Sequence, residues 1–451
     1  MSVGLRWRLR WRLSVLWALQ WAITGAILTY LPLYFAENGI SQEQLGQLLA
    51  VSALGLWVAP FVVGQVCDRW LASEKYLAIA HLVGGVTLVS IPIATRVFRE
   101  TGANFPALIS LVGLFAVAYF PTIPLASSLT FRHLSDPDAQ FGKVRIWGTV
   151  GWVLAGLSLS VWLGQQAAAD WLVTAFPACQ AAVTQLQESL PTPSKADCFH
   201  IAAVLSFALS GFSLFLPSTP PARSDRGKVA PLETLRMFRD PRFSMLIAIS
   251  FLLAIVVSFY PFAVPTLLEQ SGFAGDWVPA VMTIGQISEF PAMLLLPVIL
   301  KRYGLKATFA VGMTAWLIRY TLFAIGQSGG LLLTGVAFHG VCHVFLIIVL
   351  QLYVDSQCRS DLRASAQNLF AFITMGVAMP LGFLAAGTLA HWCETGPDGQ
   401  MNYQAFFAAP AVMILVLLAV FVMWFRLDEA PQSGDDANSI DAQSDPIPER
   451  V

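Results

Sequence analysis

Charge is the first thing this chain lacks. Asp, Glu, Lys and Arg make up 12% of its 451 residues, against about one quarter in a soluble domain. Hydrophobic residues make up 56%. A surface that apolar cannot face water, so the solvent of the fold is a lipid bilayer. The formal net charge of -1 gives no bulk electrostatic pull toward nucleic acid or an acidic partner. Cysteine is scarce, at six residues, with no C-x₂-C spacing of a metal site. Nucleophile motifs and phosphate-binding loops are also lacking, which argues against a membrane-embedded enzyme and calls for no cofactor. A cleavable signal is missing too. Arg6, Arg8, Arg10 and Arg12 imitate an n-region, but the apolar stretch behind them is too long and has no small-residue cleavage site.

What the chain does have is apolar runs. A spanning helix needs roughly 20 mostly apolar residues. About twelve stretches qualify: 14–35, 43–67, 76–97, 105–131, 146–164, 200–217, 243–266, 276–300, 307–326, 330–354, 365–391 and 403–425. Several carry internal Pro or Gly, which membrane helices tolerate because neighbours re-satisfy the freed backbone groups. The hydrophilic segment 218–241, with Pro220, Pro221 and a basic run, follows the sixth span. It separates an N-terminal six-helix bundle (1–217) from a C-terminal one (242–427). The acidic tail 428–451, with Asp435, Asp436, Asp441 and Asp445, reads as disordered. The expected fold class is an all-α membrane protein of twelve transmembrane helices in two pseudo-symmetric bundles.

Lys and Arg set the orientation. With the N-terminus inside, the cytoplasmic side receives the N-terminal arginines, Arg69, Lys75, Arg132, Lys143, Arg145, the basic run of 223–242, Lys301, Arg302, Lys306, Arg359, Arg363 and Arg426. The outside receives only Arg96, Arg99 and Lys195. This bias places both termini of a multi-pass plasma-membrane protein in the cytoplasm. Segment 165–199 is then external. It carries Cys179 and Cys198, which could form a disulfide in an oxidising compartment if their Cα atoms lay roughly 4.4–6.8 Å apart; two unrelated thiols are the alternative.

After span two comes Gly64-Gln65-Val66-Cys67-Asp68-Arg69-Trp70, then Lys75; after span eight comes Lys301-Arg302-Tyr303-Gly304-Leu305-Lys306. Two basic turns at equivalent places make a weak internal repeat. Membrane anchoring explains their charges but not Asp68. The first turn resembles the loop signature of the major facilitator superfamily, with Trp70 at a position usually held by a smaller residue. In that superfamily the acid braces one half against a helix N-terminus of the other, so Asp68, with Arg69, takes a structural role by charge–dipole attraction.

A charge at mid-bilayer costs at least ~2.5–3.5 kcal/mol, so each polar residue inside a span needs a reason. Gln286 and Glu289 in span eight are three apart and share a helix face; they serve either an interhelical hydrogen bond or a transport site. Arg319 in span nine is far from both ends. It pairs with an acid on another helix or snorkels to the headgroups, and the structural role is favoured. His339 and His343 in span ten are four apart on one face; imidazole can carry a proton near neutral pH, or the pair is simply hydrogen-bonded in the interior. Arg145, Thr149 and Trp152 form an i, i+4, i+7 stripe at the start of span five. An arginine, a hydroxyl and an indole on one stripe could hold a polar, ring-bearing solute, although Arg145 alone also suits cytoplasmic anchoring.

At these residues the chain resembles the nucleoside:proton symporter family of the major facilitator superfamily. The matching segments are Ala118-Tyr119-Phe120-Pro121-Thr122, Arg145-Ile146-Trp147-Gly148-Thr149-Val150-Gly151, Gln286-Ile287-Ser288-Glu289, Ala315-Trp316-Leu317-Ile318-Arg319 and Arg363-Ala364-Ser365-Ala366-Gln367. The resemblance implies that Arg145, Thr149, Trp152, Gln286 and Glu289 line a substrate cavity. Two segments depart from the family. Val344 stands where span ten has an acid and His343 where it has an aromatic; in span seven Ser258 and Pro261, with Tyr260 between, replace amide residues.

The expected function is a secondary active transporter that moves a small polar solute, a nucleoside in first place, together with a proton by alternating access. A buried carboxyl can be neutral or charged as its exposure changes, which makes Glu289 the first proton-coupling candidate and His343 the second. The substrate-binding set is Arg145, Thr149, Trp152, Gln286, Glu289, His339 and His343. A facilitator of another polar metabolite such as a sugar, a uniporter, and a sensor with the same fold remain alternatives; a sensor would need a soluble domain for which the hydrophilic segments are too short. The expected partners are the solute, a proton and the bilayer, with no metal, and the chain is read as a monomer.

Overall fold

The computed structural model describes residues 3–61, 66–67, 69–221, 235–326, 328–357, 363–395 and 400–425. Asp68, most of the 218–241 segment and the tail 428–451 lie outside them.

Among the described residues nine segments are long and apolar enough to cross a membrane. One of them, Gly275–Ile325, is two crossings. The helical run breaks at Gly304, where φ is 73° and ψ 177°, a conformation open to glycine but strained for residues with a Cβ; spans eight and nine meet there. Span six is a shorter apolar helix, Asp197–Ser213. Span two is assembled from Gln42–Ala50 and Leu54–Phe61 across one tight turn, Val51–Ala53. With these the crossings agree with the twelve expected from hydropathy.

Proline sets most of the breaks. It has no N–H and its ring collides with the carbonyl four residues back. Span one stops at Leu28 and resumes at Leu31 beside Pro32. Span four stops at Tyr119 before Pro121. Span seven breaks at Ser258, between Val257 and Phe259, ahead of Pro261, and the Tyr320 hydroxyl donates to the Val256 carbonyl at 2.6 Å. Spans ten and eleven each contain one wide π-helical stretch, at His343–Ile348 and Phe372–Ala378, a feature common at functional sites.

Segment 165–199 is not an irregular loop. It contains helices Gln165–Ala175 and Gln180–Ser189. The disulfide is not formed either, since Cys179 and Cys198 are both free. Cys198 sits in the first turn of span six, fully buried, with its thiol on the Lys195 carbonyl at 3.2 Å. Cys179 is exposed on the turn between the two surface helices.

Helices approach where side chains are absent. A Cβ on Gly25 would lie 2.7 Å from the Trp152 carbonyl oxygen, and one on Gly151 would collide with that of Ala18. Spans one and five therefore pack backbone to backbone, the small-residue mode of membrane helices. A buried polar network ties span one to its neighbours. Gln20 donates to Thr122 at 2.8 Å, its Oε1 lies 3.1 Å from His81 Nε2, and its carbonyl accepts from the Tyr119 hydroxyl.

The two halves meet at the end of the bundle that carries 165–199. Gly46 of span two and Gly387 of span eleven press on each other's backbone, each hypothetical Cβ falling 2.7 Å from a carbonyl oxygen of the opposite helix. The Ser160 hydroxyl of span five accepts the Ala280 N–H of span eight at 2.9 Å. Lys195 bridges Glu37, at the end of span one, and Glu269, at the end of span seven, the latter at 3.2 Å.

Candidate transport site

A cavity of about 290 Å³ lies between the halves, lined by spans one, five, seven, eight, nine and ten. All seven residues of the expected substrate set, Arg145, Thr149, Trp152, Gln286, Glu289, His339 and His343, line it. So do Trp21, Tyr260 and Trp316, which the polar pattern did not single out as site residues.

Spans one and five build the N-terminal wall. The Arg145 guanidinium lies 4.8 Å from the ring centre of Trp17 and 4.6 Å from that of Trp21. Trp21 and Trp152 stand 6.2 Å apart at 45°. Their indole N–H groups are buried with no hydrogen-bond partner among the described residues. Such donors are costly to leave unmade, and here they sit on the lining of a cavity that could supply an acceptor.

The C-terminal wall is ionic. Glu289 Oε1 lies 3.2 Å from His339 Nε2. The other nitrogen of that ring, Nδ1, lies 3.2 Å from an Arg319 guanidinium nitrogen. His343, one turn on, stacks on His339 with ring centres 5.7 Å apart at 19°, and Tyr260 also stacks on His339 at 5.7 Å and 26°. Gln286 Oε1 is buried and has no partner among the described residues.

Arg319 follows neither expected course. It is fully buried, so it does not snorkel, and no carboxylate pairs with it among the described residues. Aromatic faces hold it instead. Its guanidinium carbon is 3.4 Å from the Tyr260 ring centre, 5.0 Å from that of Trp316 and 5.8 Å from that of Phe323. A desolvated contact of this kind is worth about 2 kcal/mol or more, comparable to the cost of the charge. Arg69 is exposed, and its neighbour Asp68 lies outside the described residues.

Glu289, His339 and His343 each bring one ligand atom within 4.8 Å of the others, and two imidazoles with a carboxylate suit a transition metal. The Arg319 charge beside His339 opposes a cation there, so the set fits proton chemistry better than metal binding. The cavity as a whole can sandwich a planar ring between indole and guanidinium, satisfy polar edges from both walls, and hold a proton on a carboxylate.

Two helical halves that close on each other at one end and enclose a polar cavity at the middle of their spans make a secondary transporter of the major facilitator fold. The crystal structure of the nucleoside transporter NupG has this fold: it superposes with a TM-score of 0.76 at 24% identity, covering 93% of this chain and 99% of that one. The family model described as nucleoside H+ symporter matches residues 7–186 and 169–430, and the chain belongs to that family. Its relatives include YegT of Escherichia coli (strain K12), 28% identical over 416 residues, which are 89% of this chain and 90% of the relative. The nucleoside permease NupG of the same organism is 26% identical over 421 residues, 88% and 92% of the two chains. The protein is a proton-coupled nucleoside transporter and not an enzyme.

Proposed function

We propose that the nucleoside rests in the cavity between the two walls, with Arg145, Thr149 and Trp152 on one side and Gln286 on the other, while Glu289 takes up and releases the coupled proton. The observation that carries this reading is the convergence of all seven polar candidates on one cavity. The two indoles and Arg145 suit the base, and the unpartnered Trp21, Trp152 and Gln286 atoms suit its polar edge and the ribose. Glu289 and His343 share the cavity with the solute, so both can respond when its exposure alternates. His343 is the second carrier. Base recognition proceeds without the span-ten acid: Val344 is fully buried, and Ser258 donates to the Met379 carbonyl at 3.0 Å.

The excess of Lys and Arg gives the orientation. Both termini and the segment 218–241 face the cytoplasm of a bacterial inner membrane, and 165–199 faces outward, so the closed end is external and the conformation is inward-facing. The division into bundles 1–217 and 242–427 follows that linker, and the chain works as a monomer. Uptake of labelled nucleosides and sugars into proteoliposomes tests the whole reading. Uphill uptake should follow an imposed pH gradient and vanish when the gradient is collapsed. Uptake of sugars but not nucleosides, or uptake indifferent to the gradient, would overturn it. Labelling of a cysteine at position 228 from outside intact cells would reverse the orientation.

A further inference from the structure

Arg319 is buried behind the wall of the cavity, not on its lining. One of its guanidinium nitrogens lies 3.2 Å from His339 Nδ1, and His339 Nε2 lies 3.2 Å from Glu289 Oε1. A guanidinium has five N–H donors and no acceptor. His339 Nδ1 must therefore be the bare, accepting nitrogen. A neutral imidazole with a bare Nδ1 carries its proton on Nε2, which here points at the carboxylate. The ring is held by two near-parallel neighbours, Tyr260 and His343, whose ring centres each lie 5.7 Å from its own.

We infer that Arg319 is a positioning residue for proton coupling: it locks His339 in the Nε2–H form, making that ring a standing hydrogen-bond donor to Glu289 and not a proton carrier itself. A second proton on His339 would have to go on Nδ1, where it would meet the N–H of Arg319. The lock suits both states of the carrier. As a carboxylate, Glu289 accepts from Nε2–H; as a carboxylic acid, it still offers its carbonyl oxygen to the same donor. The proton arrives on the other carboxyl oxygen from the cavity and leaves by the same route, so no partner is orphaned in the cycle. The charged and titratable groups facing the ring are Glu289, Arg319, Tyr260 and His343. The role in coupling rests on Glu289 as the proton carrier, but the ring form does not.

The test is solid-state nitrogen NMR of the full-length protein in lipid, with ¹⁵N-labelled histidine and the His339 signals identified by their loss in His339→Gln. Bare and protonated ring nitrogens are distinguished directly, without transport. The expected result is a bare Nδ1 and a protonated Nε2 throughout the histidine switching range of about pH 5 to 8. A doubly protonated ring, or one protonated on Nδ1, overturns the inference. Arg319→Lys also donates and cannot accept, so it should preserve the Nε2–H form. Arg319→Met should release it, giving a mixture of ring forms that gains a second proton toward the acid end. In Arg319→Met, gradient-driven uridine accumulation should fall about tenfold or more, the scale on which outer partners of a functional group act, while uridine exchange is retained. A ring unchanged by Arg319→Met overturns the lock, and a changed ring with unchanged accumulation overturns the role in coupling. Failure of the carrier reading itself appears elsewhere, as accumulation that survives Glu289→Gln.

Discussion

Arg145 and Arg319 are both guanidinium groups inside the helix bundle, and aromatic rings hold both. Trp17 and Trp21 carry the first, and Tyr260, Trp316 and Phe323 the second. They differ in what lies beyond the rings. Arg145 lines the cavity, so its donors face whatever enters. Arg319 is sealed, and it reaches the cavity through His339. An aromatic cage thus lets a cation persist in a low-dielectric interior without a carboxylate partner. Which side of the cavity wall it occupies decides whether it meets the solute or braces a neighbour. On the proposed reading the N-terminal wall mainly recognises the solute and the C-terminal wall manages the proton.

That division can be broken by substitution. The largest effect is expected on the ionic wall. Glu289→Gln keeps size and hydrogen-bonding shape but cannot titrate, so accumulation driven by a pH gradient should be abolished while exchange of labelled nucleoside survives in part. Uphill uptake that persists would place the proton elsewhere, with His343→Gln as the next variant to measure. On the recognition wall, Arg145→Gln removes a charge-assisted donor worth about 1.5–3 kcal/mol. Apparent nucleoside affinity should fall about ten- to a hundredfold, with uptake still responsive to pH. Loss of the pH response at unchanged affinity would mean that the walls exchange roles. Trp152→Ala should cost about 1–2 kcal/mol in nucleoside binding if the indole stacks on the base, measured by titration of the purified protein. The smallest effect belongs to Lys195. Of its two pairs only the one with Glu269 crosses between the halves, and a partly exposed pair of this kind is worth about 0.2–1 kcal/mol. Lys195→Gln should shift the balance of access states by about fivefold at most, read as labelling from outside of a cysteine placed at Thr283. A much larger shift would make the ionic bridge, and not the helix packing, the main closure of that end.

Much of the ionic wall was legible in the sequence because charge is rare in it. In an apolar run each polar residue is conspicuous, so Gln286, Glu289, His339 and His343 declared themselves, and helical spacing gave the Arg145, Thr149 and Trp152 stripe. Arg319 was visible as a buried charge, but its partners were not. Trp316 and Phe323 lie three and four residues away on span nine itself, but which helices flank span nine is a property of the packed bundle, and His339 and Tyr260 come from spans ten and seven. Trp21 and Trp316 left no signal as lining residues. With 14 tryptophans in the chain, an aromatic in a span is uninformative until its neighbours are known. The twelve-span fold followed from hydropathy alone, whereas the break at Gly304 needed a backbone angle. The paired cysteines misled because closeness in one segment says nothing about burial: Cys198 belongs to a packed helix and Cys179 to the surface.

The contact of Ser160 with Ala280 has a consequence for the energetics of opening. Ala280 is in the first turn of span eight, whose N–H groups have no partners within the helix. One of these donors is satisfied by a hydroxyl from the opposite half. When the halves part at that end, the donor cannot be left dry without a penalty of about 1–3 kcal/mol, so a water molecule has to replace the serine as the helix opens. Opening is therefore in part a hydration reaction. Its equilibrium depends on the activity of water as well as on the protein, and a crowded or osmotically stressed medium biases the transporter toward the state closed on that side.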